Sequence, residues 1–332
     1  MVGCGTMPPV SPTLPDGRRL GAHLPLGNGM VRAVERASTI GAMALQVFAD
    51  NPTAWRRRSD PPAELEAFRA CLASLDVAPV AIHASYLINL GGPDPEFRDR
   101  SVGLLENELR VAPGFGARFV NVHVGSHKLT GLEAGIERVG EGVARALGAV
   151  DRAPDGAIIV LENSAGGGGG IGVTVAELAA VLEASSRHGS DPGRIGFCLD
   201  TAHLWGAGHD LRRPDGIDAL LDEFDAQIGL ERLALVHLND SKAALGSRLD
   251  RHQHLGAGSI GELGLRHLLT TPRLAHVTYI LETPGMDEGY DEVNVARAYR
   301  IAAGEPLEPL PPEALTVRGG RARTAPPDEP AS

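Results

Sequence analysis

Six side chains able to hold a metal ion or move a proton close six short apolar runs. His83 ends APVAIH, His123 ends FVNVH, Glu162 ends AIIVLE, Asp200 ends IGFCLD, His237 ends LALVH and Glu282 ends VTYILE. His23, on the run RLGAHL, is a seventh polar end. Any one of these, taken alone, is most simply a hydrogen-bonded polar residue at a strand end. The joint pattern asks for more. Three imidazoles and three carboxylates suit zinc or a similar divalent ion, and three carboxylates in one pocket repel one another unless cations sit between them. Two further pairs lie just beyond these runs. Asp200 and His203 are spaced DxxH, and Asp250 and His252 are spaced DxH, which in an extended segment turns both side chains the same way. DxH is a weak signal alone; beside six convergent side chains it becomes a ligand pair. At about three or four protein ligands per catalytic zinc, some of them shared, these nine candidates match three ions.

The elements that must position them follow from periodicity. Eight strand-length apolar runs, at 19–24, 44–48, 78–83, 119–123, 157–162, 195–200, 233–237 and 277–282, alternate with stretches of helical period. Helix starts have local causes: Asp94 before Pro95, and capping boxes at Thr174–Glu177 and Ser259–Glu262. Strand then helix, eight times without a composition break, predicts an α/β fold, a single (β/α)8 TIM barrel with the metal cluster at the C-terminal face of the strands. A doubly wound open sheet uses the same alternation. Gly167, Gly169 and Gly172 fit GxGxxG, but five consecutive glycines satisfy such a motif by accident, and Asp200 lies too far downstream for a dinucleotide fingerprint. Gly166–Gly170 reads instead as a flexible loop at the barrel mouth.

The 332 residues are 43% hydrophobic and 22% charged, without the repeat, heptad or apolar poverty of a fibrous or disordered chain. Residues 1–18 and 303–332 are Pro-rich and aperiodic and read as loose tails around a catalytic domain at 19–302. A net charge of −11 opposes nucleic-acid binding by the molecule's average field. Locally the balance reverses: both lysines, Lys128 and Lys242, and Arg56, Arg57, Arg58, Arg248 and Arg251 fall in loops after strands, where bound metal adds more positive charge. Cys4, Cys71 and Cys198, odd in number and far apart, offer neither a disulfide framework nor a zinc ribbon. With no signal-peptide pattern and no membrane-length apolar run, a cytoplasmic protein is expected.

The strings HASYLINLG (83–91), NVHVGSH (121–127), LEN (161–163), CLDTAHLWGAGHDLR (198–212), HLNDSKAALGSRLDRHQHLGAGSIG (237–261) and LET (281–283) resemble the endonuclease IV family of apurinic/apyrimidinic endonucleases. The resemblance spans roughly 19–302. It implies a (β/α)8 barrel with three zinc ions: His83 and His123 on the first, Glu162 bridging to a second completed by Asp200, His237 and Glu282, and His203, Asp250 and His252 on the third. It also implies hydrolysis of the phosphodiester 5′ to an abasic site in double-stranded DNA, leaving a 3′-hydroxyl and a 5′-deoxyribose phosphate. Clustered divalent ions supply a hydroxide at neutral pH and stabilise the charge of an in-line displacement; Glu162 is the catalytic candidate that orients the attack. The protein is expected to act as a monomer.

For recognition, the resemblance points to Tyr86 and Leu87 as an apolar wedge into the duplex, and to Asn51 and Trp55 in the preceding loop. Thr53 stands where some members insert an arginine, and Ala84 where Asp is common. Arg56, Arg57 and Arg58 are placed to grip phosphate in compensation, with Arg248 and Arg251 as further DNA contacts and His127 as a candidate phosphate contact. Two other readings use the same residues. A sugar isomerase or epimerase of the xylose-isomerase type would need only Glu162, Asp200, His237 and Glu282 around one Mn or Mg ion, leaving five candidates unemployed. A silent paralogue that binds damaged DNA without cutting would need none of the nine.

Overall fold

The computed structural model describes residues 13–150, 156–286 and 288–317. Eight parallel strands close into a barrel: β1 (Leu20–His23), β2 (Ala44–Val47), β3 (Val80–His83), β4 (Ala117–His123), β5 (Ile158–Glu162), β6 (Ile195–Asp200), β7 (Leu233–His237) and, after a short antiparallel hairpin of β8 (Asp240–Ser241) and β9 (His252–Gln253), the closing strand β10 (Thr278–Leu281). Each predicted run holds a barrel strand, and β4 starts ahead of its run, at Ala117. Helices α1 (Met30–Thr39), α2 (Leu65–Ser74), α3 (Pro95–Val111), α4 (Leu132–Gly148), α5 (Val175–Arg187), α6 (Thr201–Ala207), α7 (Pro214–Gln227), α8 (Gly261–Thr270) and α9 (Tyr290–Ala303) fill the intervals.

Alternation along the strands sorts their side chains. Residues turned outward join the main core beneath the helices. Ala44, Ala81, Val160, Cys198, Leu235 and Ile280 form a separate buried cluster, the filling of the barrel. Gly21 belongs with them: a Cβ there would lie 2.5 Å from the Ala44 carbonyl oxygen and 2.7 Å from Ile280 Cδ1. Because side chains repeat every second residue, the inward positions one step nearer the mouth are His23, Gln46, His83, Glu162, Asp200, His237 and Glu282. On β4, His123 follows the buried Asn121 in the same way. All eight strands therefore end inward on a polar side chain.

Local sequence sets the helix starts, with one correction. Asp94 accepts from the amides of Glu96 and Phe97, and Thr174 from that of Glu177. The expected Ser259–Glu262 box does not form. The buried Asp240 carboxylate takes the amides of Gly256, Gly258 and Ile260 at 3.0 Å instead, so the segment entering α8 is satisfied from β8. Gly166–Gly170 is likewise not a free loop. Ser126 Oγ donates to Gly168 O, His127 N donates to Gly169 O, and Ser126 bridges Gly170; Gly166, Gly168 and Gly169 carry the positive φ that this turn demands.

The expected tails are too long. Leu14 is buried and the Arg18 guanidinium donates to the Leu269 and Thr271 carbonyls. Beyond α9 the chain stays packed, and Ala314 is fully buried. Apolar periodicity could not show this, because one leucine, one arginine and backbone groups make the attachment. The rest of each expected tail, residues 1–12 and 318–332, lies outside the described residues. Cys198 is free and buried, and Cys4 lies outside the described residues. Among the described residues no helix is long and apolar enough to cross a membrane.

Candidate metal centre

Strand register brings the polar ends together. His123 pairs in register with Glu162, Asp200 with His237, and His23 with Gln46. Glu162, fully buried, stands at the middle. One carboxylate oxygen, Oε2, faces His123 Nε2 at 3.4 Å and His83 Nε2 at 3.8 Å; the other, Oε1, faces His203 Nδ1 at 3.2 Å and His237 Nδ1 at 3.5 Å. Glu282 Oε2 lies 3.3 Å from His237 Nδ1. Asp200 caps α6 with one oxygen, which accepts from His203 N, and presents the other to His252 Nε2 at 3.5 Å. Asp250 bridges His203 Nε2 at 3.3 Å and His252 Nε2 at 3.0 Å. The nine predicted ligands thus form one continuous constellation.

Four of the imidazoles are aimed by their second nitrogen. His83 Nδ1–H donates to Ala84 O at 2.8 Å, His203 Nδ1–H to Asn163 O at 3.0 Å and His252 Nδ1–H to Glu282 O at 2.8 Å, which leaves Nε2 of each as an inward lone pair. His237 is reversed: Nε2–H donates to Gln46 Oε1 at 3.1 Å and Nδ1 faces the carboxylates. Asparagines hold the acids in the same manner. Asn121 Nδ2 donates to Glu162 Oε2 at 2.6 Å and Asn239 Nδ2 to Asp200 Oδ2 at 2.7 Å. What remains without a hydrogen-bond partner is informative: Glu162 Oε1, His237 Nδ1 and His252 Nε2 are buried and unsatisfied. Buried polar atoms seldom stay unpaired; here Glu162 Oε1 and His237 Nδ1 face each other at 3.5 Å, and His252 Nε2 faces Asp200 at 3.5 Å.

The charges at the site point the same way. Burial opposes ionisation of Glu162, yet His123 and His237 outweigh it and hold the carboxyl well below its usual range. Burial likewise opposes a charged His252, but Asp250 and Asp200 push it up to about 10. His83, where burial dominates, is pushed down to about 4. Such a site needs positive charge among its acids. Three groups of predicted ligands have donor atoms within 4.8 Å of one another: His83, His123 and Glu162; Asp200, His237 and Glu282; Asp200, His203 and His252. These N and O donors fit divalent ions of the zinc class. A fourth group adds Cys198 to Glu162 and His237, but burial pushes that thiol up to about 12.

Gln46 is the residue that reading the run ALQVF to its last position overlooks, since alternation from Ala44 turns Gln46 inward. Fully buried, it donates from Nε2 to Glu282 Oε1 at 2.6 Å and accepts from His237, tying two predicted ligands together; His23 Nδ1 joins the same Glu282 oxygen at 2.9 Å.

The surrounding residues divide. Tyr86, 52% exposed, leans over the cluster with its ring centroid 5.4 Å from that of His83 and 6.2 Å from that of His123. Leu87 is partly buried against the core. Asn51 turns into its own loop, its Oδ1 accepting from Thr53 N and Oγ1. Trp55 packs edge-on to Phe97 at 5.0 Å beneath Arg100. Arg248 and Arg251 are exposed on the β8–β9 hairpin, as is Arg56 in its own loop. Arg57 departs from expectation: it turns inward toward the buried Glu108 at 3.7 Å and donates to Asn51 O. His127 packs between Gly135 and Gly169.

Residues 34–303 match the family model described as a xylose isomerase-like TIM barrel. The chain is 39% identical over 282 residues to the probable endonuclease 4 of Halothermothrix orenii, spanning 84% of this chain and 99% of that protein. It belongs to the endonuclease IV family. A probable endonuclease 4 from Oleidesulfovibrio alaskensis is 44% identical over 87% of this chain and 96% of its own length. The crystal structure of endonuclease IV from Thermus thermophilus is 40% identical with a TM-score of 0.71, covering 85% of this chain and 98% of that one. A D-tagatose 3-epimerase-like protein aligns at 15% identity and a TM-score of 0.63, a likeness of fold alone. As a member of the endonuclease IV family, the chain is a nuclease, and its metal-capable side chains gather where the barrel strands end.

Proposed function

We propose that this endonuclease IV homologue is a zinc-dependent DNA repair enzyme that cuts the phosphodiester 5′ to abasic sites in double-stranded DNA, leaving a 3′-hydroxyl and a 5′-deoxyribose phosphate. The observation that carries the reading is that Glu162, His237 and His252 each keep a buried, unsatisfied atom within a nine-residue constellation of N and O donors. Three ions are held in this reading: by His83, His123 and Glu162; by Glu162, Asp200, His237 and Glu282; and by His203, Asp250 and His252. Bound there, the ions lower the pKa of water and stabilise charge at phosphorus.

The chain's own residues do the rest. Glu162 orients the attacking water, with Asn121 fixing its other oxygen. Gln46 and the backbone carbonyls keep the free lone pairs of His83, His203, His237 and His252 pointing inward. Tyr86, above His83 and His123, and Leu87 fill the gap where a base is missing, which favours a site whose nucleotide swings out at no cost in base pairing. Arg248 and Arg251 grip the phosphates. Nothing in the geometry favours a one-metal sugar isomerase, because His83, His203 and His252 are aimed inward and His123 faces Glu162. The test is direct: incubation with a duplex bearing one abasic site, mapping of both product ends, and elemental analysis of the protein. Uncut DNA, or one manganese per chain, would reject the proposal.

A further inference from the structure

The hairpin carrying Asp250 and His252 lies outside the barrel sheet, and the segment that follows it is covered by chain that lies beyond the family match. The matched residues end at 303, yet the described chain continues to 317. Two side chains join this continuation to the segment just after His252. The imidazole of His254, fully buried, donates from Nε2 to Ala314 O at 2.9 Å and accepts at Nδ1 from Asn294 Nδ2 at 2.8 Å. The guanidinium of Arg297 donates from Nε to Leu255 O at 2.6 Å and from Nη1 to Glu308 O at 2.8 Å. Packing closes the same seam. Leu307 lies so near Gly256 that a Cβ there would meet it at 2.5 Å, and Ala314 is fully buried.

From this juxtaposition we infer that residues 304–317 are a clasp, and that His254 is the positioning residue through which it sets Asp250 and His252 against the strand-end ligands. The inference rests on reading those two residues as ligands of one ion. His252 is two residues from His254 and sits in a two-residue strand, so displacement of His254 carries directly into His252. The chain after the hairpin is already tied back to it by the Asp240 carboxylate, which takes the amides of Gly256, Gly258 and Ile260; the clasp adds a second set of contacts, at His254, Leu255 and Gly256, and a segment held by both keeps one arrangement.

The test uses the full-length chain and zinc alone as probe. Ala314→Glu places a charge in the buried seat of the clasp. His254→Phe keeps a ring of similar size and removes both hydrogen bonds, so it carries the test if Ala314→Glu does not fold. The expected result in either folded variant is at least about tenfold faster hydrogen exchange at residues 250–256 of the metal-free protein, with the barrel strands unchanged. One zinc of three should then bind about 10- to 100-fold more weakly, by chelator competition. Unchanged exchange at 250–256 overturns the clasp. Faster exchange with all zinc affinities unchanged overturns its positioning role. Asp250→Ala in the otherwise native chain separates the underlying reading: if zinc content does not fall, Asp250 is not a ligand, while the exchange result still decides whether the clasp holds the segment.

Discussion

Glu162 and Asp250 are both carboxylates facing two or more imidazoles, but Glu162 is fully buried at the end of β5 while the side chain of Asp250 is half exposed in the β8–β9 hairpin. The first is located by strand register: once β4, β5 and β6 pair, His123, Glu162 and Asp200 have no freedom to be elsewhere. The second is located by contacts that must be added separately, from Asp240, His254 and Arg297. Loop 51–58 repeats the lesson on the other side of the mouth, where Arg57 is tied down by Glu108 on α3. Strand-borne chemistry follows from the fold; loop-borne chemistry needs anchors of its own, and substitutions should separate the two.

The largest effect is expected at the strand-borne centre. Glu162→Gln is nearly isosteric and should lower cleavage of an abasic duplex by about 10³-fold or more, while circular dichroism and thermal melting show the barrel intact. Near-normal cleavage would remove Glu162 from the reaction.

Next in size is the loop anchor at Glu108. Burial outweighs the attraction of Arg57 and pushes this carboxyl up to about 7 from its ordinary 4.5. A raised carboxyl favours the folded state while protonated, so its contribution is present below about pH 4.5 and is lost as pH rises through 7. The size is about 3 kcal/mol, since each tenfold change in proton affinity corresponds to roughly 1.4 kcal/mol. Denaturant unfolding of the native chain and Glu108→Gln should therefore diverge by about that amount between pH 4.5 and about pH 8, with the variant gaining relative stability at the higher pH. Parallel curves would show that Glu108 does not titrate in this range.

Gln46→Leu tests whether a strand-borne support outside the ligand set matters. The substitution leaves His237 Nε2–H without its partner and Glu282 Oε1 with His23 alone. Metal affinity should fall about 10- to 100-fold with the fold retained, measured by chelator competition. An unchanged affinity would mean that register alone aims these ligands.

The division between strand and loop also marks what the sequence discloses. The six runs that end on candidate ligands are readable because a period of two combined with a polar end is a local pattern. Gln46 is readable too, once the alternation is started from Ala44 rather than from the last residue of the run. The anchors are not local. Arg57 shows its charge in the sequence, but nothing marks Glu108, on the far side of β3, as its buried partner. Asp240 displaces the Ser259 cap for the same reason: a buried carboxylate in reach of three amides outcompetes a hydroxyl, and reach is a tertiary property. The clasp at 304–317 is attached by backbone carbonyls and a few side chains, which leave no hydrophobic period behind.

The smallest expected effect separates the arginines of the two loop regions. Arg248 and Arg251 are exposed on the hairpin, free to meet phosphate, whereas Arg57 is committed to Glu108. Each phosphate contact contributes close to one unit to the slope of log affinity against log salt. Binding of an abasic duplex to the metal-loaded Glu162→Gln protein, followed by fluorescence anisotropy across a salt series, gives that slope without cleavage. Arg248→Ala and Arg251→Ala should each reduce it by about one. Arg57→Met should leave the slope unchanged and lower stability instead, because the buried Glu108 loses its counterion. If Arg57→Met flattens the slope as much as Arg248→Ala does, the inward arginine swings out to bind DNA, and its loop is not fixed by the Glu108 anchor.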